Sequence, residues 1–120
     1  MTYDPQNIFA RILRGEIPCQ KVFESEHALA FHDIHPQAPV HVLVIPKGAY
    51  VSLQDFSATA SPYELTGFFR AVAAVAQQLG LVEAGYRALA NVGSNGGQEV
   101  PHFHVHLFGG RRLGPMLGRG

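Results

Sequence analysis

Apolar residues recur along the chain with two different periods, and each change of period marks an element boundary. Ile8, Phe9 and Ile12 fall on one side of a short helix that Asn7 caps, that runs through Arg14 and that Gly15 stops. Lys21–Glu24 and Ala28–His32 predict two strands around a polar turn at Ser25 and Glu26. His41–Pro46 is a continuous apolar strand, ended by Pro46 and the Lys47-Gly48 pair. Ser61-Pro62-Tyr63-Glu64 then supplies an N-cap, a proline at the first helical position and the carboxylate of a capping box. Leu65, Phe68, Val72, Val75 and Leu79 repeat at helical spacing until Gly80, a segment of about 27 Å at 1.5 Å per residue. Gly85–Val92 and Val100–Phe108 predict two last strands around the loop Gly93-Ser94-Asn95-Gly96-Gly97-Gln98, and the glycine-rich tail from Gly109 is irregular. The order is short helix, three strands, long helix, two strands. It predicts an α+β fold with one short and one long helix against a five-stranded antiparallel sheet, as a single domain over residues 1–120.

Composition narrows the function. At 120 residues, 47% hydrophobic and 15% charged, the chain is too apolar for disorder, and its apolar runs are too short to span a bilayer. Nine basic and nine acidic residues cancel, so no basic stripe draws the chain to nucleic acid or to an anionic membrane. Any anionic ligand is then small and held locally. Cys19 is the only cysteine, which rules out an internal disulfide and suits a reducing compartment. The opening MTYDPQNIFARIL lacks a secretory pattern, and a cytoplasmic location is the expectation.

Chemistry concentrates in the histidines. His102, Phe103, His104, Val105, His106 and Leu107 alternate without error. On a strand, the three imidazoles share one outward face about 6.6 Å apart, while Phe103, Val105 and Leu107 turn to the core. One histidine there would be an ordinary polar surface residue; three in alternation are a functional row. Two chemistries fit that row. A His-x-His pair with a third histidine suits zinc. Alternatively, one imidazole attacks a phosphate that its neighbours position and neutralise, with neutral and protonated rings side by side. The adjacent loop favours the second, because Gly93, Gly96 and Gly97 permit backbone conformations that aim successive N–H groups at an anion. Asn91 offers an amide to the same phosphate.

His102-Phe103-His104-Val105-His106-Leu107-Phe108 resembles the histidine-triad motif of the HIT superfamily. The likeness extends to Phe31-His32-Asp33-Ile34, Gln37-Ala38-Pro39, His41–Lys47, Gly96-Gly97-Gln98-Glu99-Val100 and Gly109-Gly110-Arg111, which are similar to the Hint branch of nucleotide-binding proteins. The resemblance implies a HIT-like fold and a homodimeric purine nucleoside phosphoramidase or nucleotidyl hydrolase, acting on adenosine 5′-phosphoramidates or related AMP or GMP conjugates without a cofactor or metal. By position, His104 corresponds to the nucleophile, His102 and His106 to its triad partners, and His41 to an additional histidine. Asp33 and Ile34 correspond to ribose contacts, and Asn91, Gly97, Gln98 and Glu99 to phosphate-side contacts. Ile8, Phe9, Ile12, Ile17 and Phe31 correspond to the base pocket. Glu99 stands where some relatives carry a hydroxyl residue, which bears on leaving-group preference.

The resemblance therefore implies that His104 attacks the α-phosphorus and forms a nucleotidyl-histidine that water hydrolyses. For its attacking nitrogen to be unprotonated, the other ring nitrogen must donate to a fixed acceptor, expected to be a backbone carbonyl. The rival readings are a zinc protein using His102, His104 and His106, and a nucleotide-binding interaction module whose catalysis is incidental. Ala71 to Ala76 is apolar all round, which one sheet face does not cover, and a second copy of the chain is the expected partner.

Overall fold

The computed structural model describes residues 2–118, so Met1 and the last two residues of the expected domain and tail, Arg119 and Gly120, lie outside the described residues. The elements in chain order are α1 (Ile8–Leu13), β1 (Lys21–Glu24), β2 (Ala28–His32), β3 (Val40–Pro46), α2 (Leu53–Thr59), α3 (Pro62–Gln78), β4 (Arg87–Leu89) and β5 (Val105–Gly109). The strands form one antiparallel sheet in the order β1-β2-β3-β5-β4. The α+β class and the five-stranded sheet are as expected. The helix count is not: three helices are present among the described residues rather than two.

The extra helix, α2, has a cap of its own. Ser52 Oγ accepts from the N–H of Asp55 at 3.3 Å, and the Asp55 carboxylate accepts from Val51 N–H at 2.8 Å, so donors at the helix start are satisfied reciprocally. In α3 the expected capping box is complete, with Ser61 and Glu64 exchanging hydrogen bonds of 3.2 Å.

β3 is the central strand and is covered on both faces, which explains its unbroken apolar run. Val42 and Val44 join Ala28, Ala30, Val105 and Leu107 in the main core beneath α2 and α3, where Phe56, Phe68 and Phe103 pack with ring centroids 4.9–5.1 Å apart. On the opposite face, Leu29, Phe31, Leu43 and Ile45 pack with Phe9 of α1. Pairing places Leu43 opposite His106 and His41 opposite Phe108. Opposed residues share a face, so the histidines lie on the α1 side of the sheet.

The last two strands are shorter than expected. β4 covers three residues of the 85–92 segment, and β5 begins at Val105 rather than Val100. Pro101 has no N–H to offer a ladder. The segment ahead of β5 is instead held by the stretch after β3: Phe103 N–H donates to Tyr50 O at 2.7 Å, and the Gln98 amide donates to Val51 O at 2.6 Å. No helix among the described residues is long and apolar enough to cross a membrane.

Phe103, 1% exposed, joins the histidine segment to α2 and α3. Phe103→Ala is expected to lower stability by about 3–5 kcal/mol in urea unfolding. A loss below about 1 kcal/mol would show that the three-ring cluster does not hold the helices to the sheet.

Candidate active site

A cavity of about 510 Å³ opens between α1, the end of β2, the 91–100 loop and β5. Its apolar wall carries Ile8, Phe9, Ile12, Ile17, Phe31, Leu43 and Val100, and its polar end carries Asp33, Asn91, Gly97, Glu99, His104 and His106. Ile34, 82% exposed, stands at the mouth. Twelve of the fifteen residues singled out in the sequence therefore line one cavity. His102, His41 and Gln98 do not.

His102 leaves the expected row. It is fully buried, and both ring nitrogens are engaged away from the cavity: Nε2 lies 2.9 Å from Pro46 O and Nδ1 lies 2.7 Å from Tyr3 Oη. A carbonyl only accepts, so Nε2 carries the proton and the phenol donates to Nδ1. Nor does the row face outward. His104 is buried beneath α1, with Phe9 edge-on at 5.0 Å, and His106 is half-buried. Alternation identifies the face correctly but does not reveal that α1 covers it.

The remaining hydrogen bonds determine the other tautomers. His104 Nδ1 lies 2.7 Å from His102 O, so Nδ1 is protonated and Nε2 keeps its lone pair. Gln37 N–H donates to His41 Nδ1 at 3.2 Å, which puts the His41 proton on Nε2. His41 Nε2 lies 3.0 Å from His106 Nδ1, and its proton makes that nitrogen an acceptor. His106 in turn carries its proton on Nε2. Two adjacent rings, 5.0 Å apart, thus have opposite character, one with a free lone pair and one with a free N–H.

Burial also governs charge. Desolvation pushes His102 and His106 down to about 4, and the neighbouring histidines add to the fall. Burial lowers His104 as well, against the His102 carbonyl and the Asp33 and Glu99 carboxylates, and it lowers His41 against Asp33. Neutral rings distinguished by tautomer replace the expected mixture of neutral and protonated ones.

Asp33 caps a turn and faces the site at once. Its Oδ1 accepts from His35 N–H at 2.8 Å, while Oδ2 stands 3.5 Å from His41 Nε2. The glycine loop departs from expectation. Gly97 N–H donates to Ser94 O and Gln98 N–H to Gly93 O, at 3.1 and 3.0 Å, so these two donors close the loop's own turn rather than cradle an anion. The Gln98 side chain braces the loop too, accepting from Gly93 N–H at 3.0 Å. Gly96 is required sterically, since a Cβ would lie 2.4 Å from Val92 O.

Residues that could hold a metal also differ from expectation. His102 is turned away, so the three triad rings do not converge on one ion. Asp33, His41 and His106 do bring ligand atoms within 4.8 Å of one another. Yet a cation there needs the lone pair of His41 Nε2, whose proton has nowhere to go while Gln37 N–H occupies Nδ1.

Sequence reasoning missed Pro18, Cys19, His32, His35, Gln37, Leu43 and Val100 among the lining residues. Leu43 was accessible through its alternation with His41; the others lie at strand ends or in irregular stretches. A second concavity, of about 430 Å³, carries Lys21, Lys47 and Glu24, but both ammonium groups sit 2.8 Å from that one carboxylate and no histidine reaches it.

The depressed histidines make stability depend on pH. An unfolded chain binds protons at about 6.5, whereas folded His102 and His106 bind them near 4, so acid favours unfolding between these values. Stability should be fully present above about pH 6.5 and fall by up to about 1.4 kcal/mol per pH unit for each ring as pH drops toward 4. Denaturant unfolding across this range checks it, and a flat profile would show that the rings are not held neutral.

Comparison with known proteins places the chain in a family. The HIT domain model matches residues 14–113. An uncharacterized HIT-like protein of Azospirillum brasilense is 66% identical over 119 residues, covering 99% of this chain and 98% of its own. The purine nucleoside phosphoramidase of Escherichia coli K12 is 45% identical over 112 residues, covering 93% of each. The structure of a HIT family hydrolase from Clostridium thermocellum superposes with a TM-score of 0.84 at 38% identity, covering 93% of this chain and 96% of its own. The chain belongs to the HIT domain family.

Proposed function

We propose that the chain is a Hint-branch purine nucleoside phosphoramidase or nucleotidyl hydrolase, acting on adenosine 5′-phosphoramidates or related purine nucleotide conjugates. The observation that carries this reading is the lock on His104. Its Nδ1–H is held by the His102 carbonyl, and its unprotonated Nε2 belongs to a ring lining the polar end of a cavity whose other wall is apolar. The relationship to the Escherichia coli phosphoramidase supports the same chemistry.

In this reading the purine lies against Ile8, Phe9, Ile12, Ile17 and Phe31, and Asp33 accepts from the ribose hydroxyls. His104 Nε2 attacks the α-phosphorus, a phosphorus–nitrogen bond to His104 forms, the bond to the leaving amine breaks, and the amine departs with a proton taken from solvent, which the water of the second step returns. His106 Nε2–H steadies a phosphoryl oxygen. Water then attacks phosphorus, breaks the bond to His104 and releases the nucleoside monophosphate. His41 keeps His106 in its donor tautomer, so it acts behind the site. The protein is also a homodimer in this reading: Ala71, Val75 and Ala76 of the apolar stretch are buried, but α3 leaves Phe69 half exposed and Ala73 exposed one turn apart.

Turnover of a panel of adenosine phosphoramidates, with intact-mass detection of the nucleotidylated protein, tests the reading. His104→Ala should lower kcat by about 10³-fold or more while nucleotide affinity stays within about threefold. Near-native turnover in that variant would remove His104 as the nucleophile.

Glu99 lines the cavity close enough for its charge to be felt by His104. It should favour a leaving amine with a positive charge nearby, such as a lysine-derived phosphoramidate, over a polyphosphate leaving group. Glu99→Gln is expected to reduce that preference several-fold, about 1 kcal/mol of Coulomb energy at a partly solvated site. An unchanged ratio of specificity constants would exclude Glu99 from selectivity.

A further inference from the structure

We propose that Tyr3, in the arm before α1, is a positioning residue for the reaction at His104, acting through His102; the proposal rests on His104 being the nucleophile. The Tyr3 hydroxyl is 2.7 Å from His102 Nδ1, and the rings meet edge-on at 5.6 Å. With Nε2–H committed to Pro46 O, Nδ1 must find a donor, and the phenol is the donor the fold supplies. The carbonyl of the same residue, His102, accepts from His104 Nδ1–H. One chain of contacts therefore runs from the phenol through the His102 ring and backbone to the His104 ring.

The arm is built to hold this geometry. Asp4 O accepts from both the backbone and side-chain N–H of Asn7, at 3.2 and 2.7 Å, and Asp4 Oδ1 accepts from Gln6 N–H at 2.9 Å. Arg14 reaches back to Pro5 O at 2.7 Å. A braced turn thus delivers Tyr3 to a ring 99 residues away in the sequence. Without the hydroxyl, a buried ring nitrogen lacks its partner and the ring reorients to find one. The His102 backbone relaxes with it, and the lone pair on His104 Nε2 is held less often in its reactive direction.

The test compares Tyr3→Phe, Tyr3→Ala and the exposed control Tyr63→Phe, using steady-state turnover of an adenosine phosphoramidate and nitrogen NMR of the histidine rings. Tyr3→Phe keeps the ring packing and loses only the O–H. It should lower kcat about tenfold with KM within about twofold, and it should shift the ring-nitrogen signals of both His102 and His104. Tyr3→Ala should lose at least as much, and Tyr63→Phe should match the wild type. Wild-type kcat in Tyr3→Phe, or unmoved His102 and His104 signals, overturns the proposal, and loss confined to Tyr3→Ala would make Tyr3 a packing residue. If the unaltered protein turns over no phosphoramidate, the functional reading fails separately, and the nitrogen signals of Tyr3→Phe still decide whether Tyr3 positions His104.

Discussion

The 2.7 Å hydrogen bond from His104 Nδ1 to the carbonyl of His102 is the constraint on which the site depends. An imidazole has one proton to place on two nitrogens, and a carbonyl leaves no choice about where it goes. The carbonyl must therefore stay still. It does so because the residue that bears it is tied down by its ring, while its neighbour Phe103 is sunk in the main core and bonded through its N–H to Tyr50. Core packing on one face of the sheet thereby sets the direction of a lone pair on the other.

Burial makes this arrangement chemically economical. In water, four neighbouring imidazoles near neutrality would share protons in many combinations. Burial keeps them neutral, and direction replaces charge as the means of assigning roles. Two backbone groups, the His102 carbonyl and the Gln37 N–H, select the two states that matter, so the assignment is carried by main-chain atoms that side-chain substitution does not remove.

Much of this was legible in the sequence. Helical periods recovered α1 and α3, and short apolar runs bounded by turn residues recovered β1, β2 and β3, to within about a residue, because each helix buries one stripe and the central strands are buried on both faces. α2 was not recovered, since two turns with Leu53 and Phe56 alone give little period, although Ser52 and Asp55 carry a capping signal. The strand through Val100 overreached because apolar pattern was followed across Pro101. The cavity residues were legible largely through family resemblance. What alternation could not convey is which element covers a face: the burial of His104 by Phe9 and the capture of His102 by Tyr3 are contacts between distant parts of the chain.

The alternation of faces along β5 also protects the protein against its own wrong pairings. Side chains alternate across a sheet, so a slip of one residue between β5 and β3 would turn His106 into the hydrocarbon interior and bring Val105 and Leu107 out on the α1 side. Such a misregistered chain would bury an unpartnered imidazole and lose its main core in a single error. Strand register thus doubles as a gauge of correct folding: the main core and the placement of His106 beside His41 are reached together.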